Sequence, residues 1–93
     1  MPTFRRLEDI EAWRLARELA REVYAVSGRP PFDRDFALRD QVRRACVSVA
    51  ANIAEGYGRG GSQEFLQFLA VAKGSVSEVR SHLYLALDQG YVT

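Results

Sequence analysis

Six arginines carry most of the chemistry this sequence offers. Arg14, Arg17 and Arg21 recur at spacings of four and three, so a helix would set them in one row. Arg43, Arg44 and Arg59 bracket the middle of the chain. A guanidinium is a planar fork that donates two parallel hydrogen bonds to one phosphate, which makes this set a candidate nucleic-acid contact. The row on the first helix also has acidic neighbours: Glu11, Glu18 and Glu22 line the next rail. Pairs such as Arg14 with Glu18 and Glu18 with Arg21 would each contribute about 0.2–0.5 kcal/mol. A self-neutralising solvated face and a basic patch are therefore both open here.

A second constellation is polar without being catalytic. Gln41, Arg44, Ser48, Asn52 and Glu55 fall at helical spacing beside a stretch that holds no charged residue between Arg44 and Glu55. Roughly three turns of that helix are apolar or small on every side, so it must be buried on more than one face. Packing within the bundle accounts for one face, and a second subunit is expected on the other. The polar row would then fix register between helices or subunits as a structural network. In the competing reading, Arg43, Arg44 and Arg59 contact phosphates together with the arginines of the first helix.

Other chemistry finds little support. His82 is the sole histidine and follows Ser81, but neighbours on a helix point in different directions, which argues against a Ser-His relay. One Cys and one His cannot build a structural zinc site, and the acids do not cluster in a loop, so neither a metal nor a cofactor is expected. Gly56-Tyr-Gly-Arg-Gly-Gly-Ser62 invites comparison with a phosphate-gripping loop. It follows a helix, lacks the Lys and Ser/Thr of such loops, and reads better as a helix-ending turn with Ser62 as the next N-cap. Paired acids such as Glu8-Asp9 or Asp33 and Asp35 are simply read as helix-start residues. The expectation is a protein that is not an enzyme.

Composition sets the frame for these groups. Ninety-three residues make one domain, read as 1–93, and a chain this short buries too little surface to be robust alone, which favours self-association. Net charge is +1; the basic excess lies in residues 1–44, with ten Arg against eight acids. The lone Cys46 sits in the apolar stretch, so it reads as a buried structural thiol in a reducing, cytoplasmic setting. The N-terminus runs into acidic residues with no apolar core behind it, unlike a signal peptide, and no window approaches a membrane span.

Periodicity supplies the elements that position these residues. A first helix is predicted from about Leu7 to Val26, with Trp13, Ala16, Ala20, Val23 and Tyr24 inward and Ala12 and Leu19 widening the face. Gly28, Pro30 and Pro31 break it, and Asp33 or Asp35 caps a second helix that runs to about Gly56. Leu38, Val42, Ala45, Val49, Ile53 and Gly56 form its core arc, while Val47, Ala50, Ala51 and Ala54 fill the remaining circumference. A third helix spans about Gln63 to Asp88, with Phe65, Leu69, Ala72, Val76, Val79, Leu83 and Leu87 inward. Its stripe of Ala70, Gly74, Ser77 and Ser81 reads as a groove for close helix contact or as plain solvated surface. Short connections make this an all-α, antiparallel up-down bundle.

The motifs are specific enough to carry a resemblance across nearly the whole chain. Leu38-x-x-Gln41-Val-Arg43-Arg44-Ala45, then Ser48-Val-x-x-Asn52-Ile53-Ala54-Glu55-Gly56 with Arg59, then Glu64-Phe65, Gly74-Ser75 and Gly90-Tyr91 resemble the small bacterial four-helix-bundle proteins encoded in intervening sequences of 23S ribosomal RNA genes. The accessory variability protein of diversity-generating retroelements is grouped with them. The resemblance implies a ring-shaped homopentamer and nucleic-acid binding, to RNA or DNA, through basic surface residues, with a protein partner as a further expectation. Members continue after the Gly-Tyr turn into a fourth helix, whereas the sequence here stops at Thr93. Without that helix, part of the apolar stripes would be exposed, and a partner would be needed to cover them.

Overall fold

A computed structural model describes residues 4–93; residues 1–3, at the head of the segment read as lacking a signal peptide, lie outside the described residues. Among the described residues, all regular structure is helical. Helix α1 spans Glu11–Ser27, α2 Phe36–Arg59 and α3 Ser62–Asp88, with 3-10 turns at Leu7–Asp9 and Phe32–Arg34. The expected all-α bundle is thus observed, with three long helices. Helix α2 lies in the middle. Its Ser48 meets Ser75 and its Gly56 meets Phe65 and Phe68, so α3 runs antiparallel to it. Arg43 meets Tyr24 and Ser27 near the end of α1, while Tyr57 reaches Phe4 before its start, so α1 is antiparallel too. The molecule measures 44 × 19 × 19 Å, a bundle about as long as its longest helix.

The helix ends are set by local chemistry, and three differ from expectation. Helix α1 begins later than Leu7, because Leu7–Asp9 close a 3-10 turn and Ile10 is extended at φ −83°, ψ 110°. Asp35 caps α2: its Oδ1 accepts from the Leu38 N–H at 3.1 Å. Helix α2 does not stop at Gly56 but runs on to Arg59, where Gly60 adopts φ +86° and ends it. Gly56 stays inside because the helices need it small: a Cβ there would lie 2.8 Å from the Phe68 Cβ. The N-cap of α3 is Gly61 and not Ser62, which is the first helical residue; the Gly61 carbonyl accepts from the Phe65 N–H at 2.9 Å. At the far end, Tyr91 N–H bonds to the Ala86 carbonyl and Gly90 N–H to the Leu87 carbonyl, with Gly90 at φ +76°, closing α3 in a Schellman turn.

The core forms two clusters along α2. One gathers Val23, Phe32, Val42, Ala45, Cys46, Val79 and Ala86, the other Ile10, Ala16, Val49, Ile53, Phe65 and Ala72. Tyr24, Val76 and Leu87, expected inside, are exposed instead. For Leu87 the reason is that α1 and α3 pack chiefly against α2 and little against each other. An open groove of about 480 Å³ separates them, with Leu19, Val26, Leu83, Tyr84 and Leu87 in its walls. The outer edge of the α3 stripe therefore meets solvent. Ala70, Gly74, Ser77 and Ser81 are all exposed, and nothing in the chain lies within 4 Å of a Cβ built on Gly74. Among the described residues, no helix is long and apolar enough to cross a membrane.

Candidate nucleic-acid interface

At 100° per residue, Arg14, Arg17 and Arg21 fall within about 60° on α1, and Glu11, Glu18 and Glu22 fall within about 40° on the adjoining side. All six side chains are exposed. The predicted pairs between the rails are not formed. Ion pairs among the described residues join Arg6 to Glu8 and Asp9, Arg39 to Asp40, and Arg59 to Glu55. Arg14 instead donates from Nη1 to the Glu8 carbonyl at 2.7 Å, and the Arg17 guanidinium lies 5.9 Å from the centre of the Trp13 ring. Arg21 has no hydrogen-bond or ion-pair partner among the described residues. Glu22, at one edge of the glutamate rail, lines the groove toward α3.

The arginine row leads to a contact between α1 and α2. Tyr24 follows Arg21 on the same side of α1, and Arg43 reaches over from α2. Its Nε donates to Ser27 Oγ at 2.8 Å, its Nη2 donates to the Tyr24 carbonyl at 3.2 Å, and its guanidinium carbon stands 4.5 Å over the Tyr24 ring. Ser27 is fully buried, so Arg43 donates to a hydroxyl oxygen that water cannot reach, while the Ser27 hydroxyl itself donates to the Tyr24 carbonyl at 3.4 Å. Arg43 is consequently anchored, while Tyr24 remains 43% exposed.

The other predicted residues separate. Arg44 is exposed and unpaired among the described residues, about 100° around α2 from Arg43. Arg59 pairs with Glu55 at 3.0 Å and lies 5.5 Å from the Phe68 ring centre. Of the expected polar network, the structure joins Ser48 and Asn52: Asn52 Nδ2 donates to the Ser48 carbonyl at 2.8 Å and to Ser48 Oγ at 3.0 Å. The link across helices comes from Ser75, whose hydroxyl is 2.8 Å from that of Ser48. Gln41 lies in a shallow groove with Leu38, His82 and Leu85, apart from that cluster. Sequence reasoning missed Ser75, although a serine at core spacing between Ala72 and Val79 was its signal. It also placed Tyr24 in the core, because the arginine that holds it outward lies 19 residues away along the chain.

The remaining reactive groups are embedded. Cys46 is fully buried, and that burial pushes its thiol up to about 11. Ser81 is exposed, whereas both ring nitrogens of His82 are buried without a hydrogen-bond partner among the described residues, so the two form no relay. No group of three or more His, Cys, Asp or Glu residues is placed to hold a metal among the described residues. A family model described as 23S rRNA-intervening sequence protein matches residues 8–93, and the chain belongs to that family. No curated protein matches the chain.

Proposed function

We propose that this member of the 23S rRNA-intervening sequence protein family is a non-enzymatic, oligomeric, cytoplasmic helical-bundle protein that binds nucleic acid, with structured RNA or a nucleoprotein as its partner. The observation that carries this reading is the separation of charge on α1. Arginines stand in one exposed row free of glutamate partners, and of the glutamates on the adjoining side Glu22 lines the α3 groove. A chain of net charge +1 thereby presents a local cationic strip, which is what a polyanion responds to. The family description refers to a 23S rRNA intervening sequence, in keeping with an RNA partner.

Filter retention of labelled RNA tests this. If Arg14, Arg17, Arg21 and Arg43 each neutralise one phosphate, raising salt from about 50 to about 200 mM should weaken binding by about 50- to 150-fold. Reversing Arg14, Arg17 and Arg21 to glutamate should abolish retention while the oligomer stays intact. Retention that is indifferent to the reversal removes the reading.

A second reading, a protein-interaction scaffold that binds no nucleic acid, is favoured by the outer face of α2. Val47 is 51% exposed there, next to exposed Ala51, and the α3 stripe around Gly74 is bare. Small and apolar outward positions suit a close approach by another helix, so self-association belongs to both readings. The homopentamer implied by the family resemblance would have a mass of about 52 kDa for a 10.5 kDa chain, which light scattering measures directly.

A further inference from the structure

We infer that the Tyr24 and Arg43 pair ends the arginine row as a base-stacking platform, so that the ligand of this face is an unpaired stretch of RNA and not a duplex. The inference rests on the nucleic-acid reading above and adds the strand state of the ligand. From Arg14 to Tyr24 the row rises about 15 Å along α1 on a convex helix side. Cations along such a row track a backbone but carry no preference between single and double strands. Tyr24 adds that preference. Its ring lies under an arginine that is itself locked to buried Ser27 and to the Tyr24 carbonyl, so the pair is preorganised while Tyr24 as a residue stays 43% exposed.

Aromatic rings and guanidinium planes are the surfaces on which unstacked RNA bases settle. In a duplex, each base face is already covered by its neighbours, and the edges that remain lie in grooves that a smooth helix side cannot enter. Only a splayed base can meet Tyr24 while its phosphates meet Arg21 and Arg17. Trp13 lies under Arg17 at the other end of the row, and as the sole tryptophan it reports on occupancy.

The test is a titration of the full chain with a labelled ten-nucleotide, GC-rich RNA that is not self-complementary, and with the same strand annealed to its complement, at about 50 mM salt. Anisotropy and Trp13 fluorescence are read together. The single strand should bind more tightly than the duplex. Tyr24→Ala should weaken single-strand binding by about 5- to 150-fold, the range for losing one stacked base, and leave duplex binding unchanged. Tyr24→Phe should keep the wild-type affinity. Tyr24→Leu, which preserves apolar bulk beneath Arg43, should weaken binding as alanine does, and it decides the matter if the alanine variant fails to fold. Equal binding of both strand states with a harmless Tyr24→Leu overturns the platform but leaves the arginine row standing. Binding of neither by the wild-type chain overturns both.

Discussion

Alanine at Gly56 and alanine at Gly74 should move stability in opposite directions, although both glycines lie inside helices. A helix-interior glycine costs about 1 kcal/mol relative to alanine, so each substitution begins with that gain. At Gly74 nothing in the chain lies within 4 Å of the added Cβ, and the gain is kept. The melting temperature should rise by about 4–8 °C for a domain of this size. At Gly56 the new carbon would lie 2.8 Å from the Phe68 Cβ and 3.3 Å from the Phe65 Cα. Carbon pairs are most stable at about 3.5–4.0 Å. Both opposing atoms belong to the backbone of α3 or its root, so no rotamer change relieves the contact and the helices must part. Overpacking of that kind costs about 3 kcal/mol at the upper end of its usual range, which leaves a net loss of about 2 kcal/mol and a fall of about 8–16 °C.

Far-ultraviolet circular dichroism melts at two protein concentrations measure both effects. A Gly56→Ala variant as stable as the wild type would refute the close approach of α2 and α3. Gly74 also probes assembly. If a second copy packs on the Ala70, Gly74, Ser77 and Ser81 stripe, the alanine gain should vanish, and the deficit should grow with protein concentration.

Adjacent arginines should respond differently: Arg43→Ala removes the charge-assisted hydrogen bond to buried Ser27 Oγ and should cost about 1–3 kcal/mol in urea unfolding, whereas Arg44→Ala should stay within about 0.5 kcal/mol. Equal losses would contradict the anchoring role of Arg43. Cys46, with its thiol pushed up to about 11, should react negligibly with Ellman's reagent at pH 8 in the folded chain and promptly in denaturant; prompt reaction of the native protein would show that α2 opens readily. Tyr91 donates to Asp35 Oδ2 at 3.0 Å, and this hydrogen bond raises its pKa. The protonated phenol is the form favoured by folding, so its contribution is complete below about pH 10 and fades as pH climbs through the folded-state value. Tyr91→Phe should therefore lie below the wild type in stability at pH 9, with the gap narrowing as pH rises above about 10; a constant gap would exclude this linkage.

The three helices and most of their core were legible because burial repeats every 3.6 residues, and Val42, Ala45, Val49, Ile53, Phe65, Ala72 and Val79 all fall inside as that period requires. The end of α2 was not. Gly56 looks like punctuation until Phe65 and Phe68 are set opposite it, and only then does its missing side chain become a packing requirement. Leu87 failed for a related reason. Periodicity gives a stripe its direction, but its usable width depends on which helices meet, and here α1 and α3 leave a groove between them. The polar cluster was half legible: Ser48 and Asn52 share a helix, whereas their link to Ser75 spans 27 residues and left only a serine at core spacing as its trace.

The candidate site shows why counting charges along the chain says little about what a surface presents. Arg and Glu alternate closely through residues 11–22, and a linear reading makes the segment self-neutralising. A rotation of 100° per residue sorts them onto separate sides. The tertiary fold then gives the sides different neighbours: Glu22 faces the groove wall that holds Arg80, while the arginine row continues into Tyr24 and the anchored Arg43 of α2. Arg43 extends the basic rail by a fourth charge, held in place by its hydrogen bonds to Ser27 and the Tyr24 carbonyl. Exposed charges are screened beyond about 10 Å at ordinary salt, so a strand lying on the row would respond to these four cations and the glutamates beside them more than to the +1 of the whole chain.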